Sequence, residues 1–154
     1  MQNPIHPNIT VRSASLDDLP KLVSIMDDLG YPTTIQDLTV RFDAIWRHPD
    51  YAIFLAVSGF EVCGLIGLIN ELAFEHNETY VRIGALVVSR HYRNQGIGRI
   101  LIQEAERWAS TRRAHYLLVN SGIRPERDVA HRFYVALGFD ARSRGFKKSI
   151  PLTK

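Results

Sequence analysis

The chain has 154 residues, enough for one ordinary domain around a single core. Hydrophobic residues make up 45% and charged residues 23%, a balance that excludes a disordered or fibrous chain. Lysine and arginine number 19 against 16 aspartates and glutamates, and the net charge of +3 is too small to argue for a nucleic-acid partner. No apolar run approaches bilayer length and no signal-peptide order opens the chain, so no membrane partner is expected and the expected location is the cytoplasm. Cys63 is the single cysteine, which rules out an internal disulfide and leaves a small apolar strand residue.

In chain order, residues 9–14 read as a strand, and Ser15-Leu16-Asp17-Asp18 has the spacing of a capping box. A helix follows, with Pro20 in its first turn and Leu19, Leu22, Val23 and Met26 on one face. Gly30-Tyr31-Pro32 breaks it, and Thr34-Ile35-Gln36-Asp37 caps a second helix carrying Ile35, Leu38, Phe42, Ile45 and Trp46 at helical spacing. After His48-Pro49-Asp50, residues 51–57 and 61–74 form a hairpin around Ser58-Gly59-Phe60, with Gly64 and Gly67 marking bends or close contacts. Residues 80–88, rich in β-branched side chains, predict a central strand.

From Ile97 the pattern turns helical through Ile100, Leu101, Ala105 and Trp108. Residues 116–119 predict a short buried strand, residues 128–137 a helix stopped by Gly138, and residues 146–150 a final strand. The expected order is β-α-α-β-β-β-α-β-α-β, an α/β (α+β) arrangement in one domain over residues 1–154 with its core at about 9–150.

Between the central strand and the next helix lies Arg93-Asn94-Gln95-Gly96-Ile97-Gly98. A helix N-terminus presents unpaired N–H groups and a positive dipole end, and glycines let an anion approach the backbone. Arg90, His91, Arg93 and Arg99 add positive charge nearby. A Walker loop is absent, and the dinucleotide pattern G-x-G-x-x-G fails because position 101 is leucine. The histidines show neither H-x-x-x-H nor H-E-x-x-H spacing, so no metal is expected.

The run Arg93-x-x-Gly96-x-Gly98, preceded by Gly84-Ala85-Leu86-Val87-Val88, resembles the coenzyme A loop of the GNAT superfamily of N-acetyltransferases. Ala130-His131-Arg132-Phe133-Tyr134-x-x-Leu137-Gly138-Phe139 resembles the family's later helix, and the element order resembles its fold. The resemblance implies a mixed sheet of about six to seven strands with about four helices, acetyl-CoA as cosubstrate, and acetyl transfer to a primary amine. It places the pantetheine arm on backbone groups of Leu86, Val87 and Val88. The pyrophosphate falls to Arg93, Asn94, Gln95, Gly96, Ile97, Gly98 and Arg99. Tyr134 matches the tyrosine assigned to protonating the departing thiolate. Asn120 either meets the pantetheine or a water or satisfies loop backbone, and Arg127 either reaches a phosphate or lies on the surface.

Two departures stand out. The family often carries an acid near the start of the strand before the loop, where this chain has Arg82, and an asparagine near the later helix, where it has Arg127. Glu71, His76 and Glu78 are alternative bases, alongside a water-mediated route or capture of a neutral amine. The missing acid also leaves open a non-catalytic acetyl-CoA sensor or interaction module. Tyr31, Phe42, Trp46 and Phe74 are candidates for an acceptor pocket, and no acidic run marks the first helices. The acceptor stays open among small, antibiotic and protein amines, and similar proteins are commonly homodimers.

Overall fold

The computed structural model describes residues 8–120, 128–141 and 146–152. It is a mixed α+β fold: five strands and four helices occur among the described residues, in the order β1 (Ile9–Ser13), α1 (Leu19–Leu29), α2 (Ile35–Arg47), β2 (Tyr51–Ser58), β3 (Glu61–Leu72), β4 (Thr79–Val88), α3 (Ile97–Thr111), β5 (Tyr116–Val119) and α4 (Asp128–Ala136). The strands form one sheet in sequence order, β1-β2-β3-β4-β5. Its first four strands are successively antiparallel. The helix α3 carries the chain from β4 to β5, the kind of crossover that parallel neighbours need. The chain divides into two compact units, Met1–Leu118 and Val119–Lys154.

Residues 146–150, expected as a sixth strand, carry no strand, and Phe146 and Ile150 are exposed. The run Phe-Lys-Lys-Ser-Ile has apolar groups only at its two ends, too few for an apolar face that would bind it to a sheet. The five strands therefore fall short of the expected six to seven.

Both helix starts follow their sequence signals. Asp18 accepts the Ser15 N–H through Oδ2 at 2.7 Å, closing one half of the capping box at a 3-10 turn over Leu16–Asp18. Pro20 lies in the first turn of α1, where it removes no intrahelical bond. Thr34 caps α2 by accepting the Asp37 N–H at 3.2 Å. On one side of the sheet, Leu19, Leu22 and Ile25 of α1 and Leu38 and Phe42 of α2 pack with Leu55, Val57, Leu65 and Val87. Cys63 is fully buried in β3, as its apolar reading requires.

The pairing of β4 with β3 shifts at Gly84: Ala85 lies opposite Gly67, whereas Ile83 lies opposite Leu68. This bulge reverses the alternation of side chains along β4. Val87 thus joins Leu65 over α1 and α2, and Leu86 joins Ile66 on the α3 side. Gly64 is the point of closest approach. A Cβ there would lie 2.9 Å from Val87 O, 3.1 Å from Leu101 Cδ1 and 3.2 Å from Ile97 Cγ2.

Asp18 is buried and receives two hydrogen bonds of 2.8 Å from the Arg12 guanidinium. Arg12 holds the carboxyl below its usual range against the opposing effect of burial. A depressed native pKa stabilises the fold fully above the ordinary carboxyl value of about 3.9, and the contribution is lost as pH falls through the native value. Asp18→Ala is expected to cost about 2 kcal/mol at pH 7 in urea unfolding. The deficit relative to the parent shrinks as the titration is repeated between pH 4 and pH 2.

Candidate functional site

The site begins with an unequal pair of strands. The His115 N–H bonds Thr79 O at 2.9 Å, and the rings of Tyr80 and Tyr116 stack 5.1 Å apart at an interplanar angle of 3°. The start of β5 is thereby fixed beside the start of β4. A four-residue strand beginning there accompanies only the first part of a ten-residue one. Residues 86–88 run past it, with their other edge bound to β3. Alternate residues of an antiparallel strand turn their backbone groups to the same edge, so Leu86 and Val88 act as a pair with Val87 facing the other way.

Beyond Val88 the chain makes a 3-10 turn over Arg90–Tyr92 and enters α3 through Arg93, Asn94, Gln95 and Gly96. Asn94 and Gly96 are both left-handed, with φ of 63° and 80°. Asparagine tolerates that region and glycine has no penalty there. The first backbone bond of α3 runs from Ile100 N–H to Gly96 O at 3.2 Å. The N–H groups of Ile97, Gly98 and Arg99 precede it and have no intrahelical acceptor. Among the described residues, a Cβ at Gly96 would meet nothing within 4 Å, so they leave open space before this helix end. Ile97 itself is buried against the sheet, which limits its part at a ligand to its backbone.

These features suit a ligand with an amide-bearing arm and a diphosphate. An open strand edge offers backbone hydrogen bonds to the arm, and the helix terminus offers N–H groups and positive potential to the anion. Arg93 and Arg99 are exposed beside that end. Arg90, counted among the cations of the loop by sequence, is instead paired with Asp28, its Nε donating to Oδ1 at 2.8 Å.

The remaining candidates come later in the chain. Asn120 is exposed directly after β5, and Arg127 lies outside the described residues. Tyr134 is buried on α4 in the second unit, its ring in edge contact with Phe133 at 5.4 Å and Phe139 at 5.5 Å.

Of the alternative bases, Glu71 accepts the Tyr80 hydroxyl at 2.6 Å and Arg82 Nε at 2.8 Å. Burial pushes its carboxyl up, but the two hydrogen bonds and the Arg82 charge outweigh burial and hold it below its usual range. The same hydrogen bond, aided by burial, pushes the Tyr80 phenol up to about 12. Glu71 is therefore charged and weakly basic, and Arg82 is neutralised from the neighbouring strand. His76 Nδ1 accepts the Glu78 N–H at 3.2 Å, and its Nε2 lies 3.2 Å from the Tyr116 hydroxyl.

The four aromatic pocket candidates do not converge. Phe42 is core, Tyr31 and Phe74 are exposed, and Trp46 lines a depression of about 520 Å³ with Leu16, Asp17, Asp43 and Arg47. The fold brings Asp17 and Asp43 together although the sequence has no acidic run; Arg47 bonds Asp43 at 3.0 Å and offsets part of that charge.

The model of the Acetyltransferase (GNAT) family matches residues 19–139, from α1 through the turn after α4. The chain belongs to that family. This acetyltransferase is 27% identical over 127 residues to the uncharacterized N-acetyltransferase YhdJ of Bacillus subtilis, covering 82% of this chain and 87% of the relative. A GNAT family acetyltransferase of Staphylococcus aureus shares its structure with a TM-score of 0.80 at 29% identity, over 93% of this chain and 99% of that one. A Bacillus halodurans protein described as a transcriptional regulator superposes with a TM-score of 0.80 at 25% identity, over 92% and 99%. The acetyltransferase is thus a GNAT-type acyltransferase, of a family whose cosubstrate is acetyl-CoA. Among the described residues, no group of three or more His, Cys, Asp or Glu side chains could hold a metal, and no helix is long and apolar enough to cross a membrane.

The seating of α3 on the sheet gives a direct test. In Gly64→Ala the new methyl meets a backbone carbonyl that cannot move without shifting β4. The variant is expected to lose about 1–3 kcal/mol of stability and to bind coenzyme A more weakly. Thermal melts and calorimetric titration measure the two effects.

Proposed function

We propose that this acetyltransferase moves the acetyl group of acetyl-CoA to a primary amine of a small molecule or protein, by direct attack through a tetrahedral intermediate. The observation that carries the reading is the open β4 edge at residues 86–88, joined by one left-handed turn to the unpaired amides at the start of α3. The edge suits the pantetheine amides, and Gln95 to Arg99 suit the pyrophosphate. Asn120 and Arg127 complete the set of proposed coenzyme contacts. A thioester is already activated, so alignment with the amine supplies much of the acceleration.

The amine must be neutral to attack, the carbonyl oxygen needs a donor as its charge develops, and the thiolate needs a proton. A backbone N–H of the open edge near Val88 serves the oxygen. The phenol of Tyr134 protonates the sulfur; a group with a pKa of about 10 keeps its proton at neutral pH and can still give it up. The acid–base state of Glu71 disfavours a carboxylate base on β3. Deprotonation through water, or binding of an already neutral amine, fits this chain better.

A thiol-release screen with acetyl-CoA against varied amines tests the activity, with Gly96→Trp as the control. That variant forces a side chain into a left-handed position and into the space before α3. Release with at least one amine, lost in the control, is the expected result. Coenzyme binding without release across the panel would instead favour a sensor or interaction module. Tyr134→Phe is expected to lower kcat on the order of a hundredfold and to alter the basic limb of the pH profile. Full kcat with an unchanged profile would remove the tyrosine from the chemistry.

A further inference from the structure

The turn that leads from β4 to α3 is held from outside by two other elements. β3 holds it twice: Cys63 O accepts the Ser89 N–H at 2.8 Å, and the Glu61 carboxylate accepts the Tyr92 hydroxyl. The third anchor comes from α1. Asp28 Oδ1 accepts Arg90 Nε at 2.8 Å, and Oδ2 accepts the Arg90 N–H at 3.4 Å.

Local forces alone argue against the Asp28 carboxylate. It sits in the last turn of α1, at the negative end of the helix dipole, beside Asp27 and with no basic residue in that turn. Its side chain is only 7% exposed, and burial is the largest influence on its pKa, working against the charge. Arg90 and Arg93, both in or next to the turn, keep it ionised all the same. The hydrogen bonds that hold the group in this unfavourable place come from Arg90, in the segment that ends at the coenzyme loop.

We infer that Asp28 is a positioning residue for coenzyme binding: acting through Arg90, it fixes the Ser89–Arg93 turn and so sets where Gly96 and the first amides of α3 stand. The inference rests on reading that loop as the coenzyme site. Asp28 touches no ligand in this role. Nor does Arg90, whose guanidinium is committed to Asp28, leaving Arg93 and Arg99 as the cations for the diphosphate.

Charge and geometry predict opposite results when Asp28 is removed. A pure charge effect would tighten binding of an anion, because a negative group is lost and Arg90 is released. Arg90 is 64% exposed, however, and salt screens such charges over about 8 Å, whereas hydrogen bonds to a misplaced helix end fail within an ångström. Geometry should therefore win.

The test is calorimetric titration with coenzyme A and steady-state kinetics with acetyl-CoA on the full chain. Asp28→Ala is expected to raise Kd and the KM for acetyl-CoA about tenfold while kcat stays within twofold, since a helix end repositioned by an ångström loses part of its anion contacts but not the chemistry. Arg90→Gln, at an exposed position that leaves folding intact, is expected to do the same, and the double variant to be no worse than either single one. Arg90→Lys should recover part of the affinity. Unchanged or tighter coenzyme binding in Asp28→Ala, or in Arg90→Gln if the alanine variant does not fold, overturns the inference. So does a fall in kcat that matches the rise in KM. Gly96→Trp separates the two levels: if it binds coenzyme A like the parent, the site itself has been misread; if it does not bind and Asp28→Ala binds normally, only the role of Asp28 fails.

Discussion

The first turn of α3 seats on the sheet where β3 has no side chain, and the geometry of the site follows from that contact. Ile97 and Leu101 pack down against Gly64, with Val87 O just beyond. A larger residue at position 64 would lift the helix or spread β4 from β3. With glycine there, the N-terminus of α3 is held at the end of β4, and its unpaired amides stand within one short turn of an open strand edge. Burial of Ile97 fixes the direction in which its own N–H and those of Gly98 and Arg99 point.

Two further features make that edge usable. The bulge at Gly84 turns the last part of β4 so that Val87 fills the α1–α2 core and Leu86 the α3 side, securing the strand from both faces. Among the described residues, the shortness of β5 leaves the same residues without a strand on their far edge. An open edge usually invites aggregation, and here its exposure is limited to a few residues at the strand end. Anchors from α1 and β3 then determine how the chain leaves β4. At this strand end and helix start the groups left exposed are mostly backbone, and the side chains nearby mainly hold that backbone in place.

Much of this was legible in the sequence because it is local. Ser15 with Asp18, Thr34 with Asp37, and Gly96 ahead of an apolar stripe each state their structure within four residues. The turn through Asn94 and Gly96 into α3 belongs to that class, since turn chemistry and helix onset are both short-range. Pairs formed across long separations were not legible. Nothing near Asp28 announces Arg90, nor does Glu71 announce that it will neutralise Arg82, because those partners meet only through the fold. The depression that joins Asp17 to Asp43 was invisible for the same reason. Residues 146–150 failed differently: two end hydrophobics around a lysine pair imitate a strand in composition but supply no face to bury. Phe42 and Trp46 share a helical stripe, yet one is core and the other lines the surface, a distinction set by the packing of α2.

We propose that backbone amides at the end of β4 and the start of α3 hold the two halves of coenzyme A. Titration of the ¹⁵N-labelled protein with coenzyme A, followed by amide shifts and compared with pantetheine alone, tests it most directly. Coenzyme A is expected to move the amides of Leu86 and Val88 together with those of Gln95 to Arg99, and pantetheine only the strand group. Shifts concentrated elsewhere, with Gln95 to Arg99 unmoved at saturation, would contradict it.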